Sequence, residues 1–206
     1  SDDYTFGIIT SPVGPYYSGS VKVKIEQEFT RATGGGIGYT KAAGNYGGAF
    51  YPTSQAIKEG YNQVIWTDHK EHKYIEESGT MNLMLLLGDT FVTPPLTDRI
   101  LAGVTRRSII TLIKEQGWAI QERPVSVDEI VEAARTGALK EAFGMGTAAV
   151  VSQIDTIGHQ GTNYSIPTPA DGKAMEIKRL LNDIRLGRTP DTNQWMVDVV
   201  QPAAAE

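Results

Sequence analysis

One lysine, Lys41, lies inside the glycine-rich stretch "GGGIGYTKAAGNYGG" (34–48). Lysine is ordinarily a hydrated surface cation, and glycine-rich chain ordinarily avoids regular structure. A phosphate loop would need the lysine directly between a glycine and Ser or Thr. Thr40 and Ala42 stand there instead. A dinucleotide fingerprint would use Gly34, Gly36 and Gly38, but its third glycine is misplaced and Lys41 has no task in it. A plain surface turn accounts for the glycines alone. A fourth chemistry is Schiff-base formation with an aldehyde. The attacking amine must be neutral, which burial or a neighbouring charge achieves by lowering its pKa. Glycines and alanines let a flat ring approach the backbone, and the Tyr46 phenol lies five residues on.

Other groups able to do chemistry follow downstream. In "YIEES", Glu76 and Glu77 are adjacent and so face opposite sides of a strand. Thr80 and Asn82 share a face if the following strand is regular. Gly103-Val104-Thr105 opens a helical pattern, where free backbone N–H groups and the helix dipole favour an anion. Plain helix capping explains the same residues, and both readings hold if the cap faces a pocket. Gly144 and Gly146 precede Thr147, Ala148 and Ala149, as in a tight hairpin turn. "DHKEHK" places His69 and His72 three apart with Asp68 and Glu71. Lacking a helix or a further ligand, this reads as a solvated turn rather than a metal site. Arg106 and Arg107 are expected as helix-surface charges.

These residues need a scaffold. "FGIIT" (6–10), the start of "VKVKIEQEFTRAT", "NQVIWTD" and "WAIQERPV" read as strands. "TMNLMLLLGDTFVTPP" reads as a hairpin turning at Gly-Asp. "LKEAFGMGTAAVVSQIDTIG" gives two strands about a glycine turn. Helices are expected over "AFYPTSQAIKEGY", ending at Gly60, and over "GVTRRSIITLIKEQG", with Val104, Ile109, Leu112 and Ile113 on one face. "SVDEIVEAARTG" carries a capping box, Ser126 with Glu129, and a Gly137 stop. "PADGKAMEIKRLLNDIRLG" is a last amphipathic helix and "QPAAAE" a loose tail. The pattern is α/β with a mixed sheet in one domain.

Composition narrows the function classes. The 206 residues are 40% hydrophobic and 21% charged, enough for a buried core. A formal net charge of −5 argues against a nucleic-acid partner. No apolar run reaches the length of a membrane span. The absence of cysteine fits a reducing compartment, and a cytoplasmic location is expected.

Taken in order, "GGGIGYTKAAGNYGG", "EESGTMNLM", "TPPLTDRILAGVTRRSI" and "FGMGTAAVVS" resemble the branched-chain amino acid aminotransferases, pyridoxal 5'-phosphate enzymes of fold type IV. The similarity runs from "SPVGPYYSGS" to "WMVDVV". It implies the larger C-terminal, pseudo-barrel domain of that fold. It assigns Lys41 as the lysine that carries the cofactor and shuttles the proton, with Tyr46 on the ring oxygen. Glu77 falls on the pyridine nitrogen, while Glu76 is better read as a solvated carboxylate. Gly103, Val104, Thr105 and Thr147 fall on the phosphate. Thr80, Ala148, Ala149 and Tyr16 fall near the substrate, Ala148 and Ala149 through backbone amides. Mammalian members carry a redox-sensitive cysteine pair where Ala149 and Ser152 stand, so that switch is not expected.

The resemblance further implies amino-group exchange of the ping-pong kind between leucine, isoleucine or valine and 2-oxoglutarate, a homodimer in the full-length form, and no metal. A D-amino-acid transaminase or an aminodeoxychorismate lyase has the same fold, and an isolated non-catalytic domain is a different class of answer. Residues 1–20 are expected as interdomain strand and linker, and 21–206 as the cofactor-bearing domain. The family's N-terminal domain, which supplies a phosphate-binding arginine and much of the substrate pocket, is expected to be missing from this chain.

Overall fold

The computed structural model describes residues 2–12, 14, 19–148 and 150–197. From the N-terminal end come strand β1 (Val21–Ile25), the one-turn helix α1 (Ala43–Gly47) and helix α2 (Phe50–Lys58). Four strands follow, β2 (Gln63–Thr67), β3 (Ile75–Ser78), β4 (Met81–Leu87) and β5 (Thr90–Thr93). Helix α3 (Val104–Glu115), strand β6 (Ala119–Glu122) and helix α4 (Val127–Thr136) come next. Strands β7 (Leu139–Met145), β8 (Val151–His159) and β9 (Thr162–Ser165) precede helix α5 (Lys173–Arg185).

The sheet is mixed, and part of it closes on itself. Strands run β3-β2-β1-β8-β7-β4, and β4 pairs back onto β3 to complete a ring. Strand β1 is parallel to both β2 and β8, and the other ring pairings are antiparallel. One edge of β4 is divided: Met81 and Asn82 pair with β3, while Leu85–Leu87 pair with β5. This division lets β5 and β6 leave the ring as a parallel flap.

Apolar residues on the two sides of the ring build separate cores. Val21, Val23, Ile65, Leu83, Leu85 and Ile154 pack in one cluster with Ile130 of α4. Met84, Phe91 and Phe143 pack outside against Ile109 and Ile113 of α3 and Ile177 of α5. Strands buried on both faces lose the alternating pattern of a half-exposed sheet; all four residues of β3 are buried, including both glutamates.

Several local expectations need correction. "FGIIT" forms no strand: Phe6 is 87% and Ile9 97% exposed, so these residues find no sheet edge. The glycine-rich segment contains α1, built by "AGNYG" despite its glycines. Ser126 caps α4 by accepting the Glu129 N–H at 3.0 Å, but the Glu129 carboxylate pairs with Arg123 rather than closing the box. Val104 leaves the apolar face of α3 and is 68% exposed. Arg106 is no surface charge. It is 4% exposed and donates to the Pro94 carbonyl at 2.9 Å and to Glu122 at 2.8 Å. Strand β9 was unforeseen because its turn, Gln160-Gly161, places a glutamine at φ 47 where Asn is the usual signal.

Candidate active site

The glycine-rich segment is fixed by the loop between β5 and α3. The Gly35 N–H donates to Asp98 Oδ2 at 2.6 Å and the Tyr39 N–H to the Asp98 carbonyl at 3.0 Å. Gly38 lies so close to that loop that a Cβ there would stand 2.8 Å from Arg99 Cα. Glycine at 38 is therefore a packing requirement. Asn45 closes the segment by donating its amide to the carbonyls of Ile37 and Thr40 at 2.9 and 3.0 Å. Lys41 stands between these anchors, exposed itself, with Nζ 5.0 Å from the centre of the Tyr46 ring.

Glu77 faces Lys41's side of β3. A cavity of about 280 Å³ is lined by Lys41, Glu77, Thr80 and Asn82 on one side. The loop Leu101–Gly103, the opening of α3 at Val104 and Thr105, and the β7–β8 turn at Gly146 and Thr147 line the other. Glu77 is 3% exposed. Its Oε1 accepts the Leu101 N–H at 2.8 Å, and its Oε2 lies 3.0 Å from Arg31 Nε. That contact is a close ion pair without hydrogen-bond alignment, since the buried Nε has no hydrogen-bond partner. Burial pushes the Glu77 carboxyl up to about 7, against the opposing pulls of Arg31, the Leu101 N–H and Lys41. Desolvation wins because the carboxylate loses water on all sides and gains partial compensation from one ion pair.

The opening of α3 is equally defined. Gly103, the N-cap of α3, has no side chain with which to cap the helix, so the first-turn N–H groups keep their donors for a ligand. Only glycine fits at 103, because a Cβ would lie 2.2 Å from Asn82 Oδ1. Asn82 in turn holds the loop by donating to the Leu101 carbonyl at 2.9 Å. Across the cavity, Cβ atoms at Gly144 and Gly146 would collide with the Met81 side chain, at 2.6 and 3.0 Å.

The other expected residues are placed less uniformly. Tyr46 lines a smaller adjoining cavity with Arg31, Asn45, Glu77 and Thr80. Ala148 is the next residue of the Thr147 turn and is exposed, outside the cavity lining. Tyr16 and Ala149 lie outside the described residues. Glu76 is not solvated. It is 3% exposed and accepts Arg99 Nε at 2.5 Å beside a second cavity, walled by Ile75, Pro94, Pro95 and Pro124. Burial raises its pKa, with Arg99 opposing.

"DHKEHK" is organised by Asp68. Burial would raise this carboxyl, yet backbone N–H groups of Lys70, Glu71, Lys73 and Tyr74 hold it down at about 2. His72 Nδ1 lies 2.8 Å from Thr67 Oγ1. Among the described residues no three His, Asp or Glu side chains stand together as metal ligands. Arg31 was not singled out in the sequence; the only signal was a basic residue before a glycine run.

The amino-transferase class IV family model matches residues 8–157. Branched-chain-amino-acid transaminase 1 of Bacillus subtilis (strain 168) is 39% identical over 207 residues, spanning 97% of this chain and 57% of its own length. The chain thus spans under two thirds of that relative. The solved branched-chain amino acid aminotransferase from Escherichia coli superposes with a TM-score of 0.73 at 27% identity, covering 88% of this chain and 58% of its own. That from Thermobaculum terrenum, in its PLP holo-form, gives 0.67 at 23% identity over 82% and 52%. A closed barrel, a cavity uniting lysine, carboxylate and helix N-terminus, and a match across most of the sequence lead to one statement: the chain belongs to the amino-transferase class IV family.

Proposed function

We propose that this chain is the cofactor-bearing part of a branched-chain amino acid transaminase, working with pyridoxal 5'-phosphate held by Lys41. The observation that carries the reading is the convergence on one cavity of an amine, a buried carboxylate and an uncapped helix N-terminus. The donor set suits the cofactor. The Gly103–Thr105 opening offers N–H donors and a dipole to a phosphate, with the Thr105 and Thr147 hydroxyls beside it. Glu77 would pair with the ring nitrogen, and it lines the cavity together with Gly103 and Gly146, which carry no side chains. The Thermobaculum terrenum structure in PLP form supports the same cofactor.

When bound, the cofactor supplies an aldehyde for amine exchange and an electron sink for the α-proton's departure. The chain's own groups do the rest. Lys41 Nζ would be the group that holds the aldehyde and, when free, the base that accepts and returns the substrate's α-proton. Glu77 holds a proton at the ring nitrogen. With its pKa pushed up to about 7 it is partly protonated at neutral pH and would share that proton with the ring. Arg31 keeps the resulting carboxylate paired. Tyr46, adjoining, is the donor to the ring oxygen, and Thr80, Ala148, Ala149 and Tyr16 are the substrate-side residues.

The substrates proposed are a branched-chain amino acid and a 2-oxo acid, in a cytoplasmic, homodimeric enzyme. The name of the 39% identical relative supports this choice. Residues 21–206 are proposed as the cofactor-bearing unit, with 1–20 as its lead-in. Incubating the chain with pyridoxal phosphate and leucine tests the reading: 4-methyl-2-oxopentanoate and pyridoxamine phosphate should form together. Neither product, with the cofactor demonstrably bound, would contradict the transaminase assignment.

A further inference from the structure

Two adjacent residues inside "TPPLTDRILAGVTRRSI" that the resemblance gives no role, Asp98 and Arg99, join the two ends of the cavity. Both lie in the loop that runs from β5 to α3, and each holds something different. Asp98 faces the lysine segment. Its carboxylate accepts the Gly35 N–H at 2.6 Å and its carbonyl accepts the Tyr39 N–H at 3.0 Å, two residues before Lys41. Arg99 reaches the opposite way, although its Nη1 also lies 3.4 Å from Asp98 Oδ1. Its Nε donates to Glu76 Oε1 at 2.5 Å, on the face of β3 that points away from the cavity.

The Arg99 backbone supplies a third tie, because its carbonyl accepts a hydrogen bond from Arg31, and Arg31 is the partner of Glu77. Two residues later the Leu101 N–H binds Glu77 Oε1 at 2.8 Å. The loop is therefore pinned to β3 from both faces, through Glu76 by a side chain and through Glu77 by the backbone. Gly103, which opens the anion end, follows two residues after that. Pro94 and Pro95 have no N–H to give, and the rest of the stretch is tied by Arg106 to the Pro94 carbonyl, by Asn82 to the Leu101 carbonyl, and by Thr97 to the Arg99 and Ile100 N–H groups.

We infer that Asp98 and Arg99 are positioning residues: Asp98 sets where the Lys41 amine sits, and Arg99 sets where the Gly103–Thr105 anion end sits. The inference rests on the cofactor reading above. It gives the two residues separable effects, because a ligand bearing an aldehyde uses both ends of the cavity and one without it uses only the ring and phosphate contacts.

Two ligands of the same shape make the test. Pyridoxal phosphate carries the aldehyde, and pyridoxine phosphate carries an alcohol in its place. Their dissociation constants are measured by equilibrium titration on the wild-type chain and on variants whose folding is checked by thermal melting. Asp98→Ala should weaken pyridoxal phosphate about fivefold, the worth of one hydrogen bond, and leave pyridoxine phosphate within about twofold. Asp98→Asn keeps an acceptor oxygen for the Gly35 N–H and should restore the wild-type ratio.

Arg99→Ala should weaken both ligands about fivefold or more, and Arg99→Lys, which keeps a cation for Glu76, should recover part of the loss. A general loss of stability would move both ligands alike in every variant and would not be rescued by Asn. The inference is overturned if Asp98→Ala lowers both affinities equally. It is overturned also if the wild-type chain captures pyridoxal phosphate on Lys41 while Asp98→Ala and Arg99→Ala bind as it does; in that case the cofactor reading survives alone. Failure of the wild-type chain to capture pyridoxal phosphate removes both.

Discussion

Glu76 and Glu77 are neighbours in one strand, alike in type and each 3% exposed, but only Glu77 lines the cavity that holds Lys41 and the opening of α3. Each has its own arginine, Arg99 for Glu76 and Arg31 for Glu77. Burial raises the pKa of both. The Glu76 side is walled by Ile75 and three prolines, with Asp68, His69, Lys70 and Arg99 around them. The Glu77 side gathers Lys41, the α3 opening and Thr147. A buried, paired carboxylate with a shifted pKa is thus insufficient to mark a site; the groups that converge with it decide.

Three tests would break or sharpen this contrast, and a fourth serves as a control outside it. The largest effect is expected from Lys41→Ala, which should abolish the visible band that pyridoxal phosphate gives on binding; absorbance spectroscopy decides, and a retained band would locate the reactive amine elsewhere. Next, Glu77→Gln should weaken pyridoxine phosphate by about tenfold to a hundredfold at neutral pH, the worth of a charge-assisted bond. Glu76→Gln, which keeps an acceptor for Arg99, should change it less than about threefold. Equal losses on titration would erase the distinction between the two faces.

The third effect is a pH dependence. With its pKa raised to about 7, Glu77 holds its proton below that pH and loses it above. Affinity for a ring that needs that proton should therefore decline as pH rises past 7, by up to about tenfold per unit, and the decline should vanish in Glu77→Gln. The same sign governs stability. The contribution of protonated Glu77 is fully present below the ordinary carboxyl value and is lost as pH rises through about 7. The smallest effect concerns neither carboxylate: Ser126→Ala should cost about 1 kcal/mol of stability by removing the α4 cap, read by thermal melting, with ligand affinity untouched.

Much of the scaffold was legible because its signals were local. The β4–β5 hairpin turns at Gly88 and Asp89 as its residues demand, and Gly137 ends α4 in a left-handed conformation at φ 74. The misses have a shared cause in tertiary context. Nothing in "FGIIT" says that no strand edge awaits it. Arg106 reads as a surface charge until Pro94 and Glu122 are seen around it. Alternation in β3 correctly placed the two glutamates on opposite faces, but it could not show that both faces are covered.

The site was legible in part for the same reason. Lys41, Glu77, Gly103 and Thr147 stand in separate short motifs, and the fold brings all four to one cavity. Arg31, Asp98 and Arg99 work through contacts across 23 to 68 residues of chain, which no spacing rule reports. The glycines of the lysine segment serve close packing as well as ligand access, since Gly38 lies against Arg99.

The central claim is that Lys41 is the amine that captures the cofactor's aldehyde beside Glu77. Treating the chain with pyridoxal phosphate, reducing it with borohydride and mapping the labelled peptide tests this directly. The label is expected on Lys41, in the peptide that contains "GYTKAAGNYGG". Stoichiometric label on another lysine, or none at all with the chain folded, would contradict the account.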